Sequence, residues 1–375
     1  MIPRIVPTPV AADRELPVQG REGGFDSALL DAILPAAGTD EGREALQNPR
    51  ALLVTTGQQP GLLTGPLYTI YKALSAAALA RQLSERWERP VIPMFWIAGD
   101  DHDFDEANHA AWLTPAGEVR RAVLRKRPDD APLVPMYREP LGDDITAVLE
   151  SLAADLPVSE SRDAVLAWLG RHYKPEATLA GSFGCALAEL LAPLGILCLD
   201  STHAAVKRAT IRHIIRALGV SRGLNADLAA RDRELRDAGH DAGVGVGDDA
   251  TLVMLEAGQG RDRLIHDKDG FITRRSGERF TLDDLGRLGA ESPERFSGNV
   301  LLRPVLESAI LPTVAYVAGP GELRYLALTQ PVYERLRIPR QLPVPRWSGL
   351  LVESRVERTL ARFDAGLDDL QRDDH

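Results

Sequence analysis

Apolar residues in the first part of the chain form short continuous runs that are separated by a long helical pattern. The run ALLVTTG, residues 51–57, predicts a strand, and the Ala- and Leu-rich residues 67–87 predict a helix. The run VIPMFWIAG, residues 91–99, is apolar throughout, which is typical of a strand covered on both faces. A strand, a helix and a strand in this order predict a βαβ unit with parallel strands.

Two further units with a similar order follow along the chain. Residues 178–219 predict two helices with a buried strand between them at residues 196–200. Residues 311–319 then predict a strand, and residues 320–338 predict a helix that is bent or broken at Pro331, because proline cannot donate the helical hydrogen bond. The three units together predict an α/β fold with a Rossmann-like, doubly wound parallel sheet.

Two segments of a different character interrupt this predicted core. The first insertion, residues 111–177, mixes short strands with polar helices. The second insertion, residues 221–296, begins with a charged helix and contains a hairpin that turns at residues 268–270. The predicted core then comprises residues 1–110, 178–220 and 297–350.

The C-terminal segment, residues 351–375, predicts an amphipathic helix. Its apolar positions are Val352, Val356, Leu360, Phe363, Leu367 and Leu370. Their spacing matches the seam of a coiled coil, although only over a short stretch of two to three heptads. An amphipathic helix that packs on its own domain explains the same positions equally well.

The composition is that of a globular protein, with 375 residues, 44% of them hydrophobic and 26% charged. The 54 acidic and 44 basic residues give a net charge of -10, which argues against sequence-independent binding of nucleic acid. A small anionic ligand is still compatible with this charge, because a local pocket can oppose it. The N-terminus lacks the apolar region of a signal peptide, and no apolar run approaches the roughly 20 residues that span a bilayer, so we expect a cytoplasmic protein without a membrane partner.

Several potentially reactive side chains have no partner in the sequence. Cys185 and Cys198 lie in apolar runs without a CxxC motif, which predicts buried, reduced thiols. Five histidines also lack an evident partner and are interpreted as structural or surface residues: His172, His203, His213, His240 and His266.

The turn-rich loop GQQPGLLTGPLYT, residues 57–69, joins the first predicted strand to its helix. Free N–H groups and the dipole at a helix N-terminus attract anions, so this loop is a candidate site for phosphate or carboxylate. The polar side chains that could face this crevice are Gln58, Gln59, Thr64, Tyr68 and Lys72. In the alternative interpretation the glycines serve the turn alone, and the spacing matches neither a dinucleotide fingerprint nor a P-loop.

A cluster of ionisable residues, GDDHDFDEANHA at residues 99–110, follows the buried strand. Open α/β sheets bind ligands at the carboxyl ends of their strands, so this cluster is a candidate site. Its ionisable members are Asp100, Asp101, His102, Asp103, Asp105, Glu106 and His109. If a helix begins at Asp103, then His102, Glu106 and His109 share one face of it.

Four uses of this cluster are open. Its carboxylates and imidazoles could bind a divalent metal, or they could hold an amino group of a substrate. His102 could act as a general base that a neighbouring aspartate orients. The acids could instead only stabilise a helix N-terminus. So many like charges repel each other unless a ligand, a metal or a cation offsets them, which favours a functional site.

A third candidate segment is residues 296–325. Arg303 and Glu307 lie one helical turn apart, which also allows a simple ion pair within a helix. The sequence GPGE at residues 319–322 forms a second glycine-rich helix start, where an anion or a ribose could bind. Glu322 could instead serve only as a partner of the helix dipole.

Four motifs, in this order along residues 51–350, resemble the cysteine-adding enzymes of bacillithiol biosynthesis. They are TGQQPGLLTGPLYTIYKALS, PVIPMFWIAGDDHDFDEANHA, TLAGSFGCALAELLAPLGILCLD and NVLLRPVLESAILPTVAYVAGPGELRYL. The resemblance implies a Rossmann-type core with connecting-peptide-type insertions and a C-terminal coiled coil, here a short stub, that forms a homodimer. It also implies a ligase that joins cysteine to glucosaminyl-malate through an amide bond.

The resemblance carries over to particular residues of this chain. Those it implies for the pocket are Gln58, Gln59, Gly61, Gly65, Tyr68, Asp100, Asp101, His102, Asp103, Glu106, Arg303, Glu307, Gly321 and Glu322. We expect His102, Asp101 and Asp103 to be the catalytic set, and Thr64, Lys72 and His109 to join the binding residues.

Activation of a free carboxyl group suggests ATP with Mg²⁺ as the cosubstrate, through an acyl-adenylate. Two other functions fit the same fold. One is a non-catalytic protein that binds a nucleotide or a sugar phosphate, and the other is a metal-dependent hydrolase at DDHDFDE, residues 100–106.

Overall fold

The structure is a computed structural model that describes residues 4–7, 18–245, 247, 249–367 and 369. The strands are β1 (Arg4–Pro7), β2 (Leu52–Gln58), β3 (Val91–Ile97), β4 (His109–Leu113), β5 (Val119–Val123), β6 (Leu197–Asp200), β7 (Ala250–Ala257), β8 (Gly260–Asp267), β9 (Gly270–Thr273), β10 (Arg279–Phe280), β11 (Phe296–Gly298), β12 (Thr313–Ala318), β13 (Leu342–Pro345) and β14 (Gly349–Val352). The helices are α1 (Asp40–Leu46), α2 (Tyr68–Trp87), α3 (Phe104–Ala107), α4 (Asp144–Asp155), α5 (Arg162–His172), α6 (Leu179–Leu191), α7 (Ala204–Gly219), α8 (Ser221–Asp237), α9 (Leu282–Glu291), α10 (Arg303–Ile310), α11 (Pro320–Leu326), α12 (Gln330–Leu336) and α13 (Ser354–Arg362).

The core is a parallel five-stranded sheet in the order β13-β12-β2-β3-β6. Side chains alternate across β3, so Phe95 packs against α2 and α6 on one face, while Met94 and Trp96 pack on the opposite face with Val206 of α7. Apolar burial on both faces explains why these strands read as continuous apolar runs. The predicted α/β class and the doubly wound sheet are confirmed.

The helix predicted at residues 320–338 is broken, but not at Pro331. A short 3-10 turn at Ala327–Thr329 separates α11 from α12. Pro331 lies in the first turn of α12, where its missing N–H removes no helical hydrogen bond.

The second insertion forms an antiparallel sheet in the order β10-β9-β8-β7-β11. The hairpin turns where it was predicted, since Asp267 pairs with Gly270 across residues 268–269. This sheet extends to Gly298, two residues beyond the predicted boundary at residue 296. Helix α8 packs on α12 in a hydrophobic cluster shared with the core, in which Leu228 is fully buried.

The first insertion contains the antiparallel pair β4–β5 and the helices α4 and α5. Strand β4 starts at His109, two residues before the predicted boundary at residue 111. The helices of this insertion pack with Leu62, which lies in the loop after β2, so the insertion contacts the core at that loop.

The C-terminal segment differs from the predicted continuous seam. Val352 belongs to β14, which pairs antiparallel with β1, and α13 covers nine residues. Phe363 follows the end of this helix and is 72% exposed, and Asp364 has a positive φ of 51°, which helical residues do not adopt. Of the predicted seam positions, Val356 and Leu360 lie on α13, whereas Val352, Phe363 and Leu367 do not. The prediction of one continuous seam is therefore wrong within the described residues. Leu370 lies outside the described residues.

Both cysteines are free, and Cys198 is buried as predicted, whereas Cys185 is exposed. Cys185 lies on α6, which shows only one face to the sheet, so an apolar run in sequence did not guarantee burial. Over the described residues, none of the helices combines the length and the apolar character needed to cross a membrane.

Candidate functional site

A cavity of about 790 Å³ lies between the carboxyl ends of the core strands and the second sheet. It opens beside β2 and β12, which are neighbours in the sheet. After β2 the chain continues to β3 on one side of this pair, and after β12 it continues to β13 on the other side. Such a switch point is where open α/β sheets form a crevice for ligands. The volume lies within the range of small-molecule sites.

Most of the residues proposed from the sequence meet in this cavity. They come from the ends of β2, β3 and β12, from the helices that follow these strands and, for Arg303, from the start of α10. Those that line it are Gln58, Gln59, Tyr68, Lys72, Asp100, Asp101, His102, Glu106, Arg303, Gly321 and Glu322. Four segments that are distant in sequence thus converge on a common space.

The loop after β2 does not form the predicted anion cradle. A Cβ atom on Gly61 would lie 3.0 Å from the Cα atom of Gly65, and Gly65 itself has a positive φ of 72°. Thr64 also has a positive φ, and its N–H donates to the Tyr173 hydroxyl at 2.7 Å. Gly61, Thr64 and Gly65 lie outside the cavity lining, so these glycines serve the turn.

Asp103 and His109 are also absent from the lining. Asp103 caps α3, where its carboxylate accepts the N–H of Glu106 at 3.3 Å. Helix α3 has only four residues, and His109 already belongs to β4. The predicted common face of His102, Glu106 and His109 is therefore wrong, because the helix is too short to include His109.

Lys72 is the central buried cation of the site, with 1% of its surface exposed. Its Nζ donates to the carbonyl of Gly57, to Gln58 Oε1 at 3.3 Å and to Glu322 Oε2 at 2.5 Å. Burial lowers the pKa of Lys72, and the charge of Glu322 opposes this. Burial alone would raise the pKa of Glu322, but Lys72 and the hydrogen bonds outweigh it and leave that pKa below its usual value.

Behind this pair, Arg303 is held by a second buried acid. Tyr316 donates its hydroxyl to Glu322 Oε1 at 2.7 Å and accepts from Arg303 Nη2 at 3.1 Å. Arg303 Nη1 donates to Glu307 Oε2 at 3.1 Å, and the Thr55 hydroxyl donates to the other oxygen of Glu307. Glu307 is fully buried and does not line the cavity, so it positions Arg303 and has no access to a ligand.

On the opposite side of the cavity, Asp100 accepts a hydrogen bond from Lys207 of α7. Lys207 is 3% exposed and also donates to the carbonyl of Phe296 at 2.9 Å. This cation offsets part of the acidic cluster. Asp101 accepts the backbone N–H of His102 at 2.7 Å through Oδ1, so its second oxygen has no such contact in the described structure.

His102 is uncharged and has a defined tautomer. Its Nδ1 lies 2.9 Å from Arg261 Nη1, and a guanidinium has only donors, so Nδ1 accepts and the proton lies on Nε2. Burial, and then the charge of Arg261, lower the pKa of His102 to about 4. In this arrangement His102 donates a hydrogen bond but has no free lone pair for a proton, which disagrees with its predicted role as a general base.

Comparison with known families gives the context of this site. Residues 33–347 match the family described as "Bacillithiol biosynthesis BshC, N-terminal Rossmann-like domain". The chain belongs to the BshC family.

Its relatives named "Putative cysteine ligase BshC" include the protein of Salinibacter ruber, which is 36% identical over 338 residues, covering 88% of this chain and 61% of the relative. That of Symbiobacterium thermophilum is 36% identical, covering 92% of this chain and 64% of the relative. That of Prosthecochloris aestuarii is 32% identical, covering 84% and 56%. The chain thus spans about three fifths of the length of these curated relatives.

Some residues of this BshC-family cavity were missed by the sequence analysis. They are Ser201, Lys207, Arg261, Arg263, Ser297, Asn299, Tyr325 and Arg346. Of these, Arg261 and Arg263 carried a usable signal, because alternate positions of a strand share a face, Arg263 begins the predicted hairpin and Arg261 lies two positions before it.

The remaining histidines do not line the cavity in the part of the chain that the structure describes. His172 pairs with Glu189 at 2.7 Å, and the His203 side chain caps α7. The described residues also contain no group of three or more His, Cys, Asp or Glu side chains arranged to hold a metal ion. The geometry therefore gives no support to metal-dependent hydrolysis at residues 100–106.

Proposed function

We propose that this chain is a ligase that joins the carboxyl group of cysteine to the amine of glucosaminyl-malate. Membership of the BshC family and the name "Putative cysteine ligase BshC" of its relatives support this reaction. The observation that carries the proposal is the pairing, in one cavity, of acids that suit an ammonium group with cations that suit carboxylates. The acids are Asp100, Asp101 and Glu106, and the cations include Arg261 and Arg263.

Formation of the amide requires a neutral amine and an activated carboxyl group. The amine nitrogen attacks the carbonyl carbon, a C–N bond forms, the activating group leaves with the electron pair of its bond, and the nitrogen loses a proton. We propose that the free oxygen of Asp101 takes that proton. During the attack, the Nε2–H of His102 donates a hydrogen bond to the carbonyl oxygen of cysteine, on which negative charge develops, a role that suits its neutral tautomer.

We further propose that ATP with Mg²⁺ supplies the activating group. The chain offers little preformed support for it, since the loop after β2 packs on itself and no three-ligand metal group occurs in the described residues. One feature that suits an anion here, besides Arg261 and Arg263, is Arg346, which lines the cavity and whose buried Nε has no hydrogen-bond partner in the described structure. We therefore derive no step through the nucleotide.

The test is product formation by the purified chain with glucosaminyl-malate, cysteine, ATP and Mg²⁺, followed by mass spectrometry. We expect a product of the mass of bacillithiol, and none when ATP is omitted. Asp101→Asn should lower the rate by about 100-fold or more, as loss of a proton acceptor does. Asp105→Asn is the matched control, because Asp105 is an exposed acid of α3 outside the cavity lining.

Absence of product with any nucleotide, together with measurable binding of glucosaminyl-malate, would contradict a ligase. It would favour the non-catalytic binding protein that the sequence left open. If Asp101→Asn and Asp105→Asn lower the rate equally, the assigned role of Asp101 is wrong.

A further inference from the structure

Strand β8 turns two arginines toward the cavity. Side chains alternate along a strand, so Arg261 and Arg263 share the face that lines the cavity, whereas Asp262 points away. The carboxylate of Asp262 accepts the N–H groups of Arg275 and Ser276, both at 2.8 Å. The one acid within this stretch is therefore already engaged on the far side of the sheet.

The two arginines differ in how they are held. Arg261 donates to Ser297 Oγ at 2.9 Å and to the carbonyl of Gly298 at 2.8 Å, besides its contact with His102. Its nearest carboxylate, Asp101, is 4.0 Å away. Arg263, in contrast, makes no hydrogen bond or ion pair through its side chain with any described residue.

Arg263 also lies in a positive field. Burial lowers its pKa, and the charges of Arg274 and Arg261 lower it further. A half-buried guanidinium without an acceptor loses hydration without forming a hydrogen bond that would compensate for it. Its like-charged neighbours add repulsion. The free protein therefore has a local excess of positive charge and unused donors on this wall.

Other donors on the same wall also lack acceptors. The Ser297 hydroxyl accepts from Arg261, and no acceptor for its own proton occurs among the described residues. Asn299 uses its side-chain oxygen to accept from Leu301 and Leu302, which leaves its amide N–H₂ for another partner. Donors without acceptors around a cation are the chemistry of an oxyanion site.

We propose that Arg263, with Arg261 as its anchored neighbour, forms a subsite for an oxyanion of the substrates. The inference rests on the proposed function for the identity of the ligand. The oxyanion has two possible sources there, a carboxylate of the malyl group in glucosaminyl-malate or a phosphate of the nucleotide. A planar guanidinium binds either group through two parallel hydrogen bonds.

The test compares Arg263→Gln with Arg274→Gln by calorimetric titration. Arg274 is an exposed neighbour that contributes charge to Arg263 but lies outside the cavity lining, so it controls for the loss of one positive charge. The probes are glucosaminyl-malate, its dimethyl ester and ATP. The ester keeps the sugar and removes both negative charges of the malyl group.

For a carboxylate subsite, Arg263→Gln weakens binding of glucosaminyl-malate by roughly 10- to 100-fold, the effect of losing a charge-assisted hydrogen bond, and leaves the ester unchanged. Selective weakening of ATP assigns the subsite to phosphate. Arg274→Gln leaves all three affinities within about twofold, since exposed charges contribute little. Arg263→Lys keeps the charge and shows, through partial retention of affinity, that a loss in Arg263→Gln is not misfolding.

Equal effects of the two glutamine variants on every probe overturn the subsite, and so does the failure of the wild type to bind any anionic probe. Failure of the proposed function is separate. If binding depends on Arg263 but no product forms, the subsite is supported and the ligase reaction is contradicted. If Arg263→Gln and Arg274→Gln form product equally fast, the ligase reaction is supported and the subsite is contradicted.

Discussion

Because Arg261 contacts His102, the pKa of the His102 imidazole depends on the positive charge of that arginine in the cavity. The pKa of His102 is about 4, first because of burial and then because of Arg261. We predict that Arg261→Gln raises this pKa, while burial still keeps it below the ordinary value of about 6.5. NMR titration of the His102 ring protons measures the change.

His213 provides the internal control for that titration. Its pKa is also lowered by burial and then by the charges of Arg212 and Arg216, and it lies outside the cavity lining. Arg261→Gln should leave it unchanged. A His102 pKa that stays near 4 in the variant would show that the guanidinium does not set the charge state of the ring.

Glu307 has a structural role at the residue scale, although the sequence suggested a binding role. It is fully buried, and its carboxylate accepts a hydrogen bond from Arg303 and offsets the positive charge of that guanidinium. We predict that Glu307→Ala lowers the free energy of unfolding by about 3–5 kcal/mol, because it leaves a buried charge without its partner. Glu307→Gln should cost less, since the amide oxygen still accepts a hydrogen bond.

Urea denaturation measures both variants. Glu334→Ala is the control, because Glu334 is exposed and its carboxylate accepts a hydrogen bond from Gln330 in the same helix. Its effect should stay within about 0.5 kcal/mol. An equally small effect of Glu307→Ala would mean that the pair with Arg303 is not needed for stability.

At the scale of elements, the loop between β2 and α2 depends on a contact from the first insertion. Leu63 and Thr64 both have positive φ, which costs about 1–3 kcal/mol each when the residue is not glycine. The buried hydroxyl of Tyr173, which follows α5, accepts the Thr64 N–H and so holds this conformation.

We predict that Tyr173→Phe speeds hydrogen exchange at the Thr64 amide and destabilises the protein by about 1–3 kcal/mol, because a buried donor loses its acceptor. Tyr333→Phe is the matched control: its hydroxyl donates to the Pro304 carbonyl at 3.0 Å, away from the loop. That variant should lose stability without faster exchange at Thr64. The same exchange rate in both variants would argue against the anchor.

The sequence predicted the central strands of the core, because strands buried on both faces have continuous apolar runs and the helical patterns between them are long. The resemblance to a known family implied a common pocket for the residues after β2, β3 and β12, and parallel strands that end at one edge of the sheet account for it. It could not predict the partner of His102, because Arg261 is 159 residues away and nothing local encodes that contact. The C-terminal seam was wrong because apolar spacing alone did not distinguish Val352 in a strand from Val352 in a helix.

At the scale of the whole molecule, the second insertion and the core share one hydrophobic cluster. Leu228 of α8 is 0% exposed in that cluster, together with Val332 and Leu336 of α12. The five tryptophans lie at positions 87, 96, 112, 168 and 347, so none is in the second insertion. Tryptophan fluorescence thus reports only on the rest of the chain.

We predict that Leu228→Ala lowers the unfolding midpoint seen by tryptophan fluorescence, with a loss of about 2–5 kcal/mol from the cavity it creates. The midpoint by far-ultraviolet circular dichroism should shift by the same amount. A fluorescence midpoint identical to that of the wild type would mean that residues 221–296 unfold as an independent unit.

Because side chains alternate along β8, the charge of one cavity wall depends on which residues of the strand face the cavity. Arg261 and Arg263 occupy odd-numbered positions on the cavity side, and Asp262 occupies the even-numbered position between them. Insertion or deletion of a single residue just before them, with the pairing to β7 kept, would exchange the two faces. The wall would change from cationic to anionic in one step, and a cavity that attracts acidic ligands would repel them.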